Sequence, residues 1–371
     1  MRKYLLLPLM LLPLLSIAQT FHLFIGTYTG KGSKGIYVYK FNAATGKAEW
    51  VSNTDSAANP SYLAVSPTGK FVYAVNETGG DKPGAVSAYS FDRNTGKLDF
   101  INQELTGGDA PCYVSLSKGN NWLMVANYSG GSLSAFGVNS DGSLNPFSQL
   151  IQHTGSSVNK QRQEKPHVHS VVFSPMQDYL FTSDLGLDKV MVYKVNAEDS
   201  KPLEPAIPPF VAVRDGNGPR HFTFHPNGKF AYLINEMSGT VGAFKYTDGK
   251  LTWLQEIATH PSTFKGKPGS ADIHVSPDGK FLYASNRGEE NNLAIFAVNQ
   301  TTGKLALKGF QSTEGKTPRN FIIDPTGNYL LAANQDTDNI VIFKRNKATG
   351  LLKETGDQIK VSRPVCLQML K

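Results

Sequence analysis

The chain has 371 residues, of which 37 are basic and 30 acidic, giving a formal charge of +7, and it contains 35 glycines and 21 prolines. The positive excess is small and includes no run of lysine and arginine, so the composition argues against a nucleic-acid-binding protein. Many glycines and prolines, with no useful helical periodicity after residue 20, exclude a helical fold and favour short strands joined by tight turns.

The first predicted element is a secretory signal peptide over residues 1–18. It has a basic start at Arg2 and Lys3, an apolar stretch from residue 5 to 15, and a small residue at Ala18. An uncleaved membrane anchor is the alternative, but the apolar run is short for a span and contains two prolines. We expect cleavage after Ala18, export to the periplasm, and no stable membrane insertion of the mature chain, which has 35 basic and 30 acidic residues.

From residue 60 onwards, a proline followed by a phrase close to S-P-x-G-K-x-x-Y-A-x-N recurs six times, roughly every fifty residues. In each copy, two stretches of alternating apolar residues flank a tight turn, which predicts an antiparallel hairpin. A third alternating stretch follows, then a G-K-L type turn and a weaker fourth stretch. Four short strands in each repeat of this length are typical of β-propeller blades.

The two ends of the chain supply the strands of one more blade. Alternating stretches at residues 21–29, 35–41 and 48–54 provide three strands, and residues 364–370 provide a fourth. Pairing of these terminal strands closes the ring without leaving an open sheet edge at the seam. We therefore predict an all-β, seven-bladed β-propeller with four antiparallel strands per blade, forming a single domain over residues 19–371.

The repeat also indicates where a site lies. The first strand of a blade begins, and the second strand ends, on the same face of the disc beside the central channel. The residues at the start of the seven first strands therefore form one ring, and the residues that follow the seven second strands form another. The first ring contains Ser61, Cys112, His169, Arg220, Ser270 or Ala271, Arg319 and Val365, with His167 next to His169. The second ring contains Tyr28, Glu77, Tyr128, Leu185, Glu236, Arg287 and Gln335.

Three of the nine arginines of the chain lie in these rings. Arginine can bind a carboxylate or phosphate through two parallel hydrogen bonds, and a nearby carboxylate or imidazole can accept a proton from water. We therefore expect a site for a small anion. The catalytic candidates are His167, His169, Arg220, Glu236 and Arg287, and the candidates for substrate binding are Arg319, Glu77, Tyr128 and Gln335.

Several of these residues also have structural interpretations. Arg220 and Glu236 could form an ion pair that ties two strands of one blade, whereas Arg287 and Arg319 have no obvious local partner. His221 alternates away from Arg220 and is expected to pack between blades. The asparagines that end the second strands recur in nearly every blade, which indicates a structural role at the turn.

His167 and His169 have the spacing of a metal-ligand pair on a strand. No further histidine, cysteine or paired carboxylate completes such a site in the sequence. We therefore expect no metal and no cofactor.

Four motifs in chain order carry a family resemblance. They are PHVHSVVFSP (166–175), GPRHFTFHPNGKFAYLINE (218–236), ADIHVSPDGKFLYASNRG (271–288) and TPRNFIIDPTGNYLLAANQ (317–335). Together they resemble the lactonase family of seven-bladed propellers, which contains propeller-type 6-phosphogluconolactonases and carboxy-muconate cyclases. The resemblance covers nearly the whole mature chain and implies a metal-free site for a lactone with an acidic group. It implies, as active residues, a histidine of the PHVH motif, Arg220, Glu236 and Arg287.

The resemblance and the rings together favour hydrolysis of a sugar lactone that carries a phosphate or carboxylate. Glu236 or a histidine of the pair would act as general base, Arg220 and Arg287 would stabilise the oxyanion, and Arg319 with Arg287 would hold the distal anion. A cycloisomerase that forms a lactone from an unsaturated diacid is one alternative, and a periplasmic propeller that binds a ligand or protein without turnover is another.

The expected partner is a small anionic lactone or sugar acid, and not a nucleic acid. The resemblance implies a phosphorylated substrate of a cytoplasmic route, whereas the predicted signal peptide indicates export. The sequence leaves the choice between phosphate and carboxylate open.

Overall fold

The structure is a computed structural model that describes residues 19–30 and 32–370. Within these residues it contains 28 β-strands and no helix, and therefore no helix able to cross a membrane. The strands form seven antiparallel sheets of four strands each, which confirms the predicted seven-bladed propeller. The predicted signal peptide lies outside the described residues.

The seven sheets are blades 1 to 7, numbered from the N-terminus. Blade 1 contains β1 (Thr20–Thr27), β2 (Tyr37–Asn42), β3 (Ala48–Asn53) and β28 (Pro364–Leu370); blade 2 contains β4 (Leu63–Val65), β5 (Phe71–Asn76), β6 (Ala85–Asp92) and β7 (Lys97–Leu105). Blade 3 contains β8 (Pro111–Leu116), β9 (Trp122–Asn127), β10 (Ser132–Val138) and β11 (Leu144–Gln152); blade 4 contains β12 (Val168–Phe173), β13 (Tyr179–Asp184), β14 (Lys189–Val195) and β15 (Leu203–Ala212). Blade 5 contains β16 (Pro219–Phe224), β17 (Phe230–Asn235), β18 (Thr240–Thr247) and β19 (Lys250–Ala258); blade 6 contains β20 (Ser270–Val275), β21 (Phe281–Asn286), β22 (Asn292–Val298) and β23 (Leu305–Ser312). Blade 7 contains β24 (Pro318–Ile323), β25 (Tyr329–Asn334), β26 (Asn339–Arg345) and β27 (Leu352–Lys360).

The two chain ends meet in blade 1, as predicted. Strand β28 pairs antiparallel with β1, so that His22 lies opposite Leu370 and Ile25 lies opposite Leu367. The first strands of all seven blades then contact one another in sequence around the central channel. Strand β1 is therefore paired on both edges, with β28 and with β2, and the ring is closed.

The core lies between the blades. In blades 3, 5, 6 and 7 every residue of the second strand is buried, because this strand has sheet neighbours on both sides and other blades against both faces. Buried tyrosines of second strands connect neighbouring blades: the hydroxyl of Tyr73 in blade 2 donates to the carbonyl of Gly142 (3.1 Å), and that of Tyr232 in blade 5 donates to the carbonyl of Gly303 (3.0 Å). Each acceptor belongs to a turn of the next blade.

Replacing Gly303 by alanine is expected to weaken this contact between blades 5 and 6. Gly303 has a φ of +72°, and an added Cβ would lie 2.4 Å from Cδ1 of Phe230, a buried residue of blade 5. Backbone strain and displacement of the ring should together lower the free energy of unfolding by about 2–3 kcal/mol. The matched control is Gly80→Ala, because Gly80 has a φ of +64° with nothing within 4 Å of the added Cβ.

Urea denaturation of the two variants measures the difference. Gly80→Ala should show only the backbone term, of about 1 kcal/mol. Equal losses in the two variants would mean that contact with Phe230 does not stabilise the interface between the blades.

Candidate active site

A β-bulge near the start of the first strand decides which side chains enter the channel. In β12, Val168 pairs with Asp184 and Ser170 with Ser183, so His169 is the extra residue of the bulge. In β24, Arg319 occupies the same position between Pro318 and Asn320. Bulges redirect side chains and recur beside active sites. Six first strands carry such an irregularity, and their extra residues include Cys112, His169, Arg220, Ala271, Arg319 and Val365, which belong to the predicted first ring.

These bulges, together with the ends of the second strands, surround a pocket of about 260 Å³. The pocket is lined by Tyr28, Glu77, Cys112, Tyr128, Arg162, His169, Glu236, Arg287 and Arg319. Six of the nine predicted site residues are therefore brought together: Glu77, Tyr128, His169, Glu236, Arg287 and Arg319.

A larger groove of about 610 Å³ lies between blades 1 and 2. Its lining includes the neutral side chains of Asn53 and Gln103 and three charged residues, Asp55, Lys97 and Asp99, of which Lys97 and Asp99 pair with each other at 2.6 Å. Ionisable groups from several blades converge only in the smaller pocket of the two, so the chemistry favours that pocket.

Glu236 follows β17 and is the centre of the charge cluster. Its Oε1 accepts a hydrogen bond from Nη2 of Arg162 (2.7 Å), while Oε2 accepts one from Nε of Arg220 (3.0 Å) and lies 3.1 Å from Nη2 of Arg287. Burial raises the pKa of Glu236, but Arg287, Arg220 and the other nearby cations outweigh burial and hold this pKa well below 4.5. The carboxylate is therefore ionised at neutral pH.

His169 faces the same carboxylate. Its Nε2 lies 3.9 Å from Oε2 of Glu236, and its Nδ1 lies 3.7 Å from Sγ of Cys112. Burial and the charge of Arg220 lower the pKa of His169 well below 6.5, so the imidazole is neutral at pH 7. A neutral imidazole and an ionised carboxylate that face one pocket can together take a proton from water and stabilise the resulting imidazolium.

The arginines that line the pocket differ in how they are bonded. Arg287 donates from Nε to the carbonyl of Gly269 (3.0 Å) in addition to its contact with Glu236. Arg319 lies over the ring of Tyr28, with Cζ 5.3 Å from the ring centroid. Within residues 19–30 and 32–370, its guanidinium donates no hydrogen bond, and the nearby Glu77 and Glu236 act on it only through their charge. Arg319 is thus positioned to accept an anionic group from a ligand.

Glu77 lies on the Tyr28 side of the pocket. Both of its carboxylate oxygens accept from the hydroxyl of Tyr28 at 2.9 Å, and Oε2 also accepts from the hydroxyl of Ser61. The hydroxyl groups of Tyr28 and Ser61 therefore fix this carboxylate, and Glu77 acts on Arg319 through its charge without accepting a hydrogen bond from it.

Arg220 does not line the pocket, contrary to the predicted contact with an oxyanion. Its side chain is only 1 % exposed and bonds to Glu236, to the carbonyl of Ala271 (2.6 Å) and to His221 (3.1 Å). The alternative interpretation, an ion pair between two strands of one blade, describes this geometry. Arg220 acts on the pocket through Glu236.

His167 and Gln335 also lie outside the pocket lining. His167 precedes the bulge, and its ring stacks on Tyr128 with centroids 4.6 Å apart, while Nε2 lies 3.2 Å from Oε1 of Glu164. The side chain of Gln335 donates to Asp336 (3.0 Å). The described residues contain no group of three or more His, Cys, Asp or Glu side chains arranged to hold a metal ion.

Arg162 lines the pocket and was missed in the sequence. It lies between β11 and β12, on a connection of fifteen residues, where β7 and β8 are joined by five. Besides Glu236, its Nη2 contacts the hydroxyl of Tyr128 (3.2 Å). The connection is anchored at Gln163, whose side chain donates to the carbonyl of Leu185 (2.9 Å). The unusual length of this connection was the only signal of Arg162 in the sequence, because Arg162 does not belong to the repeat.

Residues 22–369 match the family described as "Lactonase, 7-bladed beta-propeller". The chain belongs to this lactonase family. A relative from Formosa agariphila, named 6-phosphogluconolactonase, is 42% identical over 349 residues, which is 94% of this chain and 99% of the relative. A protein of the same name from Bacillus subtilis is 38% identical over 94% of this chain and 97% of its own length.

A solved structure is also similar to this chain. The periplasmic gluconolactonase of Pseudomonas aeruginosa is 40% identical, covers 95% of this chain and 99% of its own, and has a TM-score of 0.91. The family resemblance drawn from the four motifs is therefore confirmed.

Proposed function

We propose that this lactonase hydrolyses a sugar lactone bearing a phosphate or carboxylate, and that Arg319 binds that anionic group. The observation that carries the proposal is the guanidinium of Arg319, which faces a pocket of about 260 Å³ without a hydrogen-bond acceptor among the described residues. The names of the relatives support lactone hydrolysis, and two of them act, by name, on a phosphorylated sugar lactone.

His169 is the base that the geometry favours. If its Nδ1–H points to the sulfur of Cys112, Nε2 is unprotonated and faces Oε2 of Glu236 across 3.9 Å. A water molecule bonded to both atoms would attack the lactone carbonyl and give its proton to Nε2. The carboxylate of Glu236 then stabilises the imidazolium. The ring C–O bond breaks, the leaving alkoxide takes the proton back from His169, and the product is the open hydroxy acid.

Arg287 and Arg162 are the donors available to the developing oxyanion. Both line the pocket and both contact Glu236, with side chains 18% and 38% exposed. A donor directed at the oxyanion commonly contributes about 3–4 kcal/mol to lowering the barrier. The hydrogen bond from Nε of Arg220 keeps the carboxylate of Glu236 in place.

The pH dependence follows from His169 and Glu236, both of which act unprotonated and both of which have a lowered pKa. Activity should be constant from neutral pH down past 6.5, the ordinary pKa of histidine, and should fall only in more acidic solution as His169 gains a proton. The measurement is kcat/KM against pH with glucaro-1,4-lactone, whose carboxylate does not titrate between about pH 5 and 8. An acidic limb centred at pH 6.5 or above would contradict the assignment of His169.

The function itself is tested with purified residues 19–371 and two anionic lactones, 6-phosphogluconolactone and glucaro-1,4-lactone. At least one should be opened with kcat/KM of about 10⁴ M⁻¹s⁻¹ or more, and in ¹⁸O-water the new carboxylate should contain one ¹⁸O atom. Thermal stabilisation by these lactones without turnover would favour a binding protein. Lactone formation from a muconate-type diacid would favour a cycloisomerase.

We also propose that residues 1–18 direct export to the periplasm. The sequence pattern supports this proposal, and so does the location given in the name of the Pseudomonas aeruginosa neighbour. Mass spectrometry of the periplasmic protein should find Gln19 at the N-terminus. A retained Met1 in the cytoplasmic fraction would contradict export.

A further inference from the structure

A buried chain of hydrogen bonds continues from Arg220, and its members beyond Arg220 have no part in the steps above. Nη1 of Arg220 lies 3.1 Å from Nε2 of His221, and Nδ1 of His221 lies 2.7 Å from Oδ1 of Asp272. Nε2 of His274 lies 2.9 Å from Oδ2 of the same aspartate. The chain begins behind Glu236 and ends at His274, whose side chain is 34% exposed and lines a second cavity of about 370 Å³.

The charge of Arg220 determines which atoms in this series of hydrogen bonds carry a proton. Burial lowers the pKa of Arg220 to about 10, so its guanidinium stays charged at neutral pH and only donates. Nε2 of His221 must therefore accept, and Nδ1 carries the hydrogen that is donated to Asp272. Burial and Arg220 also lower the pKa of His221 to about 4, which keeps the ring neutral and in this one tautomer.

Asp272 is itself held from blade 7. Its Oδ2 accepts from Nδ2 of Asn320 (2.6 Å) and from the backbone N–H of Phe321 (3.2 Å), in addition to His274. Its side chain is 2% exposed. The carboxylate is a fixed acceptor that orients the ring of His221.

We propose that His221, oriented by Asp272, positions Arg220 and, through it, the carboxylate of Glu236 for the reaction. The inference rests on the proposed function, because it assigns Glu236 a role in hydrolysis. The guanidinium of Arg220 meets three acceptors: Glu236 at Nε, and Ala271 and His221 at Nη1. Losing one of them frees the group to shift, and a displacement of about 1 Å can cost about 100-fold in rate. His221 also packs against Tyr113 and against the proposed base His169, with centroids 5.2 and 5.5 Å apart, so the test must separate the hydrogen bond to Arg220 from both ring contacts.

Two substitutions at His221 separate its hydrogen bond with Arg220 from its hydrogen bond with Asp272. His221→Asn leaves an amide near the Nδ1 position that can still donate to Asp272, but it removes the acceptor for Arg220. His221→Gln places an oxygen near the Nε2 position and restores that acceptor. With a lactone that the wild type turns over, we expect His221→Asn to lower kcat about 10- to 100-fold and to change KM less than about threefold, because the proposed anion site at Arg319 is untouched. His221→Gln should be at least about fivefold faster than His221→Asn.

The control is His225→Gln. His225 is also buried, lies in the turn after β16, and donates from Nε2 to the carbonyl of Gly279 at 2.9 Å, away from Arg220. Its kcat should stay within about twofold of the wild type while its thermal stability falls. If His221→Asn does not fold by circular dichroism, His221→Phe, which keeps an aromatic ring beside Tyr113, takes its place.

If His221→Asn and His221→Gln have equal kcat, whether at the wild-type value or equally lowered, the inference is overturned and His221 is a packing residue. Wild-type protein without lactone turnover would overturn the proposed function and this inference with it. The two failures are therefore distinguishable.

Discussion

Replacing Glu236 by glutamine should lower kcat/KM for any lactone substrate about 100-fold or more. The amide cannot neutralise the three arginines that now meet the carboxylate at 2.7 to 3.1 Å. It also removes the negative charge that stabilises the imidazolium of His169. Breaking a buried ion pair by removing one partner typically costs about 3–5 kcal/mol, so part of that cost should appear as lower stability.

Stability and activity must therefore be measured on the same preparations. Glu256→Gln is a suitable control, because Glu256 belongs to blade 5, pairs with Arg214 at 2.9 Å and does not line the pocket. It should retain kcat/KM within about twofold of the wild type. A folded Glu236→Gln protein with wild-type turnover would remove Glu236 from the mechanism.

Replacing Arg319 by glutamine should discriminate between substrates. With 6-phosphogluconolactone, loss of the charged donor should lower kcat/KM about 30- to 100-fold, since truncating one partner of a buried charge pair costs about 2–5 kcal/mol. With glucono-1,5-lactone, which has no anionic group, kcat/KM should change by less than about threefold. Kinetics with the two lactones on wild type and variant provide the comparison.

Arg363 offers the matched control for this prediction. Its guanidinium also lies against the ring of Tyr28, with Cζ 5.1 Å from the centroid, yet it does not line the pocket. Arg363→Gln should leave the preference between the two lactones unchanged. An equal loss on both lactones in Arg319→Gln would indicate that Arg319 supports the pocket and does not recognise the anion.

The fold was predictable because the repeat is strong in every blade. Alternation defined the hairpins, and the pieces left over at the two ends defined the closing blade, which the β28–β1 pairing confirms. The structural role of the recurring asparagines is also confirmed: the side chains of Asn76, Asn286 and Asn334 each donate to the carbonyl of a residue in the loop before the blade.

The sequence predicted which residues lie in the two rings around the channel, but not which of their side chains enter the pocket. The repeat gave the two rings, but it could not show that bulges turn His169 and Arg319 into the channel while His167 stays behind Tyr128. It could not show that Arg220 is covered by Glu236, because burial depends on side-chain packing across blades. Arg162 was missed because it comes from a connection outside the repeat. His221 was expected to alternate away from Arg220, and this was wrong, because both residues lie in the bulge of β16 and Nε2 of His221 is 3.1 Å from Nη1 of Arg220.

The most direct test of the account is a crystal structure with the lactam analogue of 6-phosphogluconolactone, in which an N–H group replaces the ring oxygen and prevents opening. We predict that the phosphate accepts hydrogen bonds from Arg319, while the lactam carbonyl lies within hydrogen-bond distance of Arg287 or Arg162 and beside Nε2 of His169. An analogue bound outside this pocket, or bound with its phosphate on Arg287 and its carbonyl at Arg319, would contradict the proposed mechanism.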